Sequence, residues 1–117
     1  MLLLIGIEKD IAKKIEEDVG INVFILGKEA EGKLVKDIVA NPRDFEGNGT
    51  WHERKFAIMH GMNNEEVKKV LGVFKTQGIK DVIFATTTET SLNWELSDLL
   101  NELLEEDEYF KKIKKDK

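Results

Sequence analysis

The stretch KFAIMHGMNNEEVKKVLGVFKTQGIKDVIFATTT, residues 55–88, sets out a complete strand-helix-strand unit in readable order. Lys55 to Met59 is an apolar run about one strand long. Asn63 then stands ahead of a helical stripe, Val67, Val70, Leu71 and Phe74, and Glu66 completes a capping box with it. Gly78 supplies the stop, and Asp81 to Thr86 is a second apolar run.

Outward toward the N-terminus the same order recurs. Leu2 to Ile7 and Ile21 to Leu26 read as strands, with Ile11, Ala12, Ile15 and Val19 at helical spacing between them and Gly20 as the stop. Aligned by features, Leu4-Ile5-Gly6-Ile7 falls on Ile58 to Met62, Gly20-Ile21 on Gly78-Ile79, and Val23-Phe24-Ile25 on Val82-Ile83-Phe84. This pattern predicts one α/β domain over 1–117: a β-α-β-(α)-β-α-β-α pseudo-duplicate with a first unit at 1–40, a flexible loop at 41–54 and a second unit at 55–115. Within the first unit Leu34, Val35, Ile38 and Val39 fit a short helix ending before Asn41-Pro42. Gly47, Asn48 and Gly49 make the following segment read as a loop.

Strands that are apolar at nearly every position belong to a sheet covered on both faces. That favours a four-stranded, mainly parallel sheet with helices on either side. Its strand ends after Gly6, Gly27, Gly61 and Thr86 would then share one edge and form a single crevice. The alternative is a ferredoxin-like α+β sandwich with an extra C-terminal helix, in which the repeats run in opposite directions and the turns divide between two ends.

Composition narrows the function. The 117 residues carry a net charge of −5, with 41% hydrophobic and 35% charged residues and a single proline. This is the profile of a packed domain, long enough for one core. The basic residues are interleaved with acids, so no clustered basic face is expected and nucleic-acid binding is disfavoured. Met1 to Ile7 is cut off by Glu8, Lys9 and Asp10, too short for a signal peptide or a membrane span. With no cysteine there is no disulfide, thiolate nucleophile or cysteine-ligated metal, and the cytoplasm is the expected compartment. Abundant Lys, Glu and Ile with a single Gln is the bias described for hyperthermophile proteins. No cofactor is implied, since neither a P-loop nor a GxGxxG fingerprint is present.

The densest polar cluster is Thr86-Thr87-Thr88-Glu89-Thr90-Ser91, where the fourth strand gives way to a long helix. Hydroxyls and free N–H groups there could take an anion such as a phosphorylated metabolite. The structural reading is ordinary capping, with Ser91 as N-cap of a helix starting at Leu92. That helix carries a stripe of Leu92, Leu96, Leu99, Leu103 and Phe110, and a lysine-rich end at Lys111–Lys117 suited to the helix dipole. Trp94 lies about 160° to 200° round the helix from Leu92, Leu96 and Leu103, so it must be exposed, meet a partner, or pack under the loop carrying Phe45 and Trp51. His60 alternates with Phe56 and Ile58 at a strand end, which reads as a part-buried, hydrogen-bonded histidine. No spacing joins it and His52 to carboxylates as metal ligands. The acids Glu102, Glu105, Glu106, Asp107 and Glu108 read as a solvated helix side.

Several of these residues also carry a resemblance. Met59-His60-Gly61-Met62, the helix from Val67 to Phe74, Gly78-Ile79, Val82 to Ala85, Thr88, Trp94, Leu99 and Glu102-Leu103 together resemble a small prokaryotic family known only as a domain of unknown function. Its pattern has a strand running into Thr, Trp farther on, then a helix with Leu, Glu-Leu and a closing Glu-His. The N-terminal βαβ resembles the region that precedes this domain. Ser91 stands where the family has Asn, which keeps capping chemistry. Asp107 stands where it has His, so no role of that imidazole carries over. The resemblance implies no activity and marks Thr88 and Trp94 as positions to test.

These readings support three functions. The first is a non-enzymatic binding or regulatory domain that holds a protein partner or small ligand on Gly61, Asn63, Thr86, Thr87, Thr88, Thr90, Ser91, Trp94 and His60. The second is a small enzyme or binder for an anionic metabolite at the strand-four turn, with His60 as base beside a hydroxyl. The third is a structural homodimer paired through exposed apolar residues of the long helix.

Overall fold

The computed structural model describes residues 1–115; the last two positions of the lysine-rich run, Asp116 and Lys117, lie outside it. The chain runs β1 (Leu2–Ile5), α1 (Lys9–Val19), β2 (Val23–Ile25), a 3-10 turn at Lys28–Gly32, α2 (Val35–Ala40), 3-10 turns at Pro42–Phe45 and Gly49–Trp51, β3 (Lys55–Met59), α3 (Asn64–Thr76), β4 (Val82–Thr86), α4 (Glu89–Leu92) and α5 (Leu96–Lys115). None of the described helices is long and apolar enough to cross a membrane.

The four strands form one sheet in the order β2-β1-β3-β4. β1 pairs with β2, and β3 with β4, in parallel. The sheet is therefore mainly parallel, as the uninterrupted apolar strands predict. A ferredoxin-like arrangement would separate the two strands of each βαβ unit, and here they are neighbours. One consequence of the parallel reading is corrected, however. β1 and β3 are antiparallel, Leu2 facing Met59 and Leu3 facing Ile58. The carboxyl ends of β1 and β2 thus lie at one end of the sheet and those of β3 and β4 at the other, so no single crevice collects Gly6, Gly27, Gly61 and Thr86. The sequence could not settle this, because a strand covered on both faces is apolar throughout whichever way it runs.

Alternation along the strands divides the core in two. Leu2, Leu4, Ala57 and Met59 pack under α1 and α3 with Ile15, Val19, Val70 and Phe74. Leu3, Ile5, Phe56 and Ile58 pack on the other face with Val35, Ile38, Leu96, Leu99, Leu100 and Leu103 from α2 and α5.

The antiparallel centre gives the two units an internal dyad. The step that carries Leu3 onto its partner Ile58 carries Gly6 onto Gly61, both left-handed at φ 76 and 66. Away from the sheet, Leu34 bridges Glu95. The flanking bonds are reciprocal: Val35 N–H donates to Trp94 C=O at 2.9 Å, and Leu96 N–H to Lys33 C=O at 2.8 Å. By strand register Val23, opposite Leu2, corresponds to Phe84, opposite Ala57. That is two residues past the Val82 which feature alignment assigns. α3 has 13 residues against 11 in α1, and a slip of two keeps every side chain on its face, so a hydropathy pattern does not register it.

The long helix also differs from expectation. It begins at Leu96, after the separate turn of α4 and the linker Asn93-Trp94-Glu95. Leu96, Leu99 and Leu103 are buried as their spacing predicts, but Phe110 is 63% exposed. Twenty residues of helix extend about 30 Å, well beyond a five-residue strand of roughly 17 Å, so the last turns of α5 overhang the sheet.

Candidate functional site

The two ends of the sheet have been finished in different ways. At the β1/β2 end the connection 41–54, expected as a flexible loop, is packed against the strands. Gly6 N–H donates to Gly49 C=O at 2.6 Å, Gly27 N–H to Phe45 C=O at 2.9 Å, and Gly47 N–H to Ile25 C=O at 3.1 Å. The Trp51 indole N–H donates to Leu26 C=O at 2.9 Å. Gly49 is wedged so closely that a Cβ there would meet Ile25 Cγ2 at 2.5 Å and Ile7 O at 2.8 Å. This plug occupies the carboxyl ends of the first two strands.

The β3/β4 end carries most of the sequence-predicted site residues. His60 follows β3 and completes its ladder, its N–H donating to Met1 C=O at 3.0 Å while the Met1 amino group donates to His60 C=O at 2.8 Å. Gly61 is exposed and left-handed, and a Cβ on it would meet nothing within 4 Å. Asn63 caps α3 in the predicted box: Glu66 N–H donates to Asn63 Oδ1 at 2.8 Å and Asn63 N–H to Glu66 Oε1 at 3.0 Å. Thr87 N–H donates to Met59 C=O, which turns the end of β4 toward His60. There His60 Nδ1 and Thr87 Oγ1 lie 2.7 Å apart, either group donating according to the imidazole tautomer. Partial burial, and then the positive Met1 amino group, hold the His60 pKa below its usual range, so the neutral imidazole is favoured.

Thr88 takes the cap that the sequence assigns to Ser91. Its Oγ1 accepts from Ser91 N–H at 3.0 Å, and Ser91 Oγ accepts from Thr88 N–H at 2.9 Å. Ser91 is buried inside α4 as the residue that answers the cap. The correction follows from the break at Asn93: a helix starting at Glu89 needs its cap at Thr88. Thr86 and Thr90 are exposed.

Trp94 is not brought to this cluster by its backbone. It sits in the linker between α4 and α5, tied to α2 through Val35, and its partly buried ring packs on the core beneath α2 and α5. Trp94 is not helical, so its angular separation from the leucine stripe does not exist in the fold. Phe45 and Trp51 border the same core.

Sequence reading missed the plug itself. Its signal was the glycine-rich run beside Trp51, which marks close backbone approach as readily as mobility. Asp107 accepts from Arg54 at 2.6 Å and lies 3.3 Å from Lys111. The Arg54 hydrogen bond holds its carboxyl below the usual range. That ion pair joins α5 to the end of the plug. Among the described residues no group of three His, Asp or Glu side chains converges as a metal site.

Residues 55–110 match the family model of a domain of unknown function, DUF3783. The matched segment is the second unit, from β3 into α5. No curated protein and no solved structure matches the chain.

Proposed function

We propose that this protein is a non-enzymatic binding domain that takes a small ligand or an extended partner at the carboxyl end of β3 and β4, on His60, Gly61, Thr86, Thr87 and Thr90. The absence of cysteine favours a reducing compartment, the cytoplasm. The observation that carries the reading is the contrast between equivalent positions. Where the first unit has Ile5, Ile25 and Leu26 under a plug, the second has His60, Thr86 and Thr87 with no counterpart of Gly49 or Trp51 over them among the described residues. Ligands of parallel βαβ units bind beyond the carboxyl ends of the strands, and this is the one of the two ends left polar.

The ligand is neutral or cationic in this reading. Glu65 and Glu66 open α3 and Glu89 opens α4, so each helix start near the cluster presents carboxylates. The N–H groups of Glu66, Thr88 and Ser91 are already engaged by caps. An anionic metabolite would meet repulsion and few free donors. Asn63, Thr88 and Ser91 act here as supports for the loops, and Trp94 as an anchor of the linker.

A second reading rests on the His60–Thr87 contact of 2.7 Å, the distance a general base needs to a hydroxyl. Among the described residues no buried carboxylate stands beside His60 to orient the imidazole.

A thermal-shift screen with nucleosides, neutral sugars, polyamines and sugar phosphates tests both. A ligand at a hundred times its Kd adds about 2.7 kcal/mol of stability. The expected hit is uncharged or cationic, perturbs amide signals at 60–62 and 86–90, and is lost in Thr87→Val. Hits confined to sugar phosphates, or amide changes centred on Trp51, would overturn the proposal. Turnover of a hit that His60→Gln abolishes would favour the enzyme instead.

A further inference from the structure

The outer edge of β4 is the place where the internal dyad is left incomplete. On the first unit the corresponding edge, that of β2, is covered by the chain itself. Glu16 Oε2 accepts from Val23 N–H at 3.1 Å, Gly47 N–H donates to Ile25 C=O, and Leu26 bridges Glu46 in antiparallel sense. On the second unit β4 ends the sheet, and among the described residues no segment pairs with its far side. Thr87 N–H points inward to Met59 C=O, so by strand alternation the backbone groups of Val82, Phe84 and Thr86 point outward.

Edge strands that stay single are normally protected by a charge, a proline or a bulge. Val82 to Thr86 contains none of these, and its pairing with β3 runs without interruption. Leu71 extends the apolar border. It is 40% exposed, and at 100° per residue it lies on the flank of α3 opposite Gln77, whose side chain donates to Asp18 of α1 at 2.8 Å. Gln77 therefore marks the flank toward α1, and Leu71 the flank toward the free edge.

We infer that the outer edge of β4 pairs antiparallel with β4 of a second copy of this chain. The strand is complementary to itself about Phe84. With the two-fold at that residue, Phe84 faces Phe84 of the second copy in a hydrogen-bonded pair, and Val82 faces Thr86 on either side. Asp81 falls opposite Thr87, so no like charges oppose. The molecule already contains this geometry at its centre, where β1 and β3 meet antiparallel about Leu3 and Ile58. The first unit also carries an antiparallel neighbour on this edge, Glu46 beside Leu26, the counterpart of Thr87. Such a dimer extends the sheet to eight strands; it shares Thr86 with the site proposed above but does not depend on that site taking a ligand.

The test is the mass of the protein across concentration, by sedimentation equilibrium, from about 1 μM to about 1 mM, a span set by the weakness of so short a pairing. The expected result is a shift from 13.4 kDa toward twice that mass. In the same range the amides of Phe84 and Thr86 should change from fast to slow hydrogen exchange. Thr86→Pro removes an outward N–H that β3 does not use, and should weaken dimerisation at least tenfold with an unchanged circular-dichroism spectrum. Phe110→Ser, on the exposed overhang of α5, should leave the dimer as it is. A monomer throughout the range overturns the inference. So does a dimer in which the Phe84 and Thr86 amides still exchange fast, or one that Phe110→Ser dissociates; the latter places the interface on the helix. Protection of those amides only when an unrelated extended peptide is added would assign the edge to a peptide and also overturn it.

Discussion

Gly6 and Gly61 occupy equivalent positions in the two units, each left-handed within two residues of its strand's end, and they have opposite surroundings. A Cβ on Gly6 would collide with the Arg54 carbonyl and stand 3.1 Å from Lys55 Cα, whereas a Cβ on Gly61 would meet nothing. The backbone requirement is shared, since both turns need a positive φ. The difference lies in what the rest of the chain has done to each end. One end was filled by the connection between units, and the other was kept open and lined with His60 and threonines. Two ends share a common plan, and with one of them sealed only the other is available for the proposed binding role.

Gly6→Ala should produce the largest difference between the two ends. Left-handed strain and the collision with Arg54 together should cost about 3 kcal/mol, while Gly61→Ala should cost only the strain, about 1 kcal/mol. Urea denaturation of both variants measures the difference; equal losses would mean that the plug is not seated as described. A smaller effect separates the two helix starts. The turn after Gly27 has no side-chain cap, and α4 depends on Thr88. Thr88→Ala should therefore cost about 1 kcal/mol in the same assay.

The smallest effect concerns pH. His60 titrates below its ordinary 6.5 in the folded protein, so the unfolded chain binds its proton first as pH falls. The stability His60 contributes is present above pH 6.5 and is lost as pH drops through the folded value. His60→Ile, which copies Ile5 of the first unit, should flatten melting temperature against pH across that window. An NMR titration that placed the imidazole at or above 6.5 would contradict the assignment.

Much of this was legible beforehand, for local reasons. Asn63 and Glu66 form their capping box because both partners lie within one turn, and Lys55–Met59 is a strand whatever it pairs with. Residues whose meaning depends on distant chain were misread. Ser91 cannot be an N-cap once the helix breaks at Asn93, and that break accompanies the pairing of Leu34 with Glu95. Trp94 reads as an off-face aromatic only on an unbroken helix, and the chain breaks there. The segment around Gly47 and Gly49 looked mobile, since nothing local says that its glycines are pressed against Gly27 and Ile25.

The four strands, the helices α1 to α3 and the polar cluster at the end of β4 can be read from residue order alone. These follow from periodicity and capping, which act over a few residues. The antiparallel meeting of the two units, the plug at one end and the edge of β4, unpaired among the described residues, emerge only from packing. Strands buried on both faces carry the same apolar residues in either direction, so strand direction and the covering of an edge are fixed by contacts between distant parts of the chain.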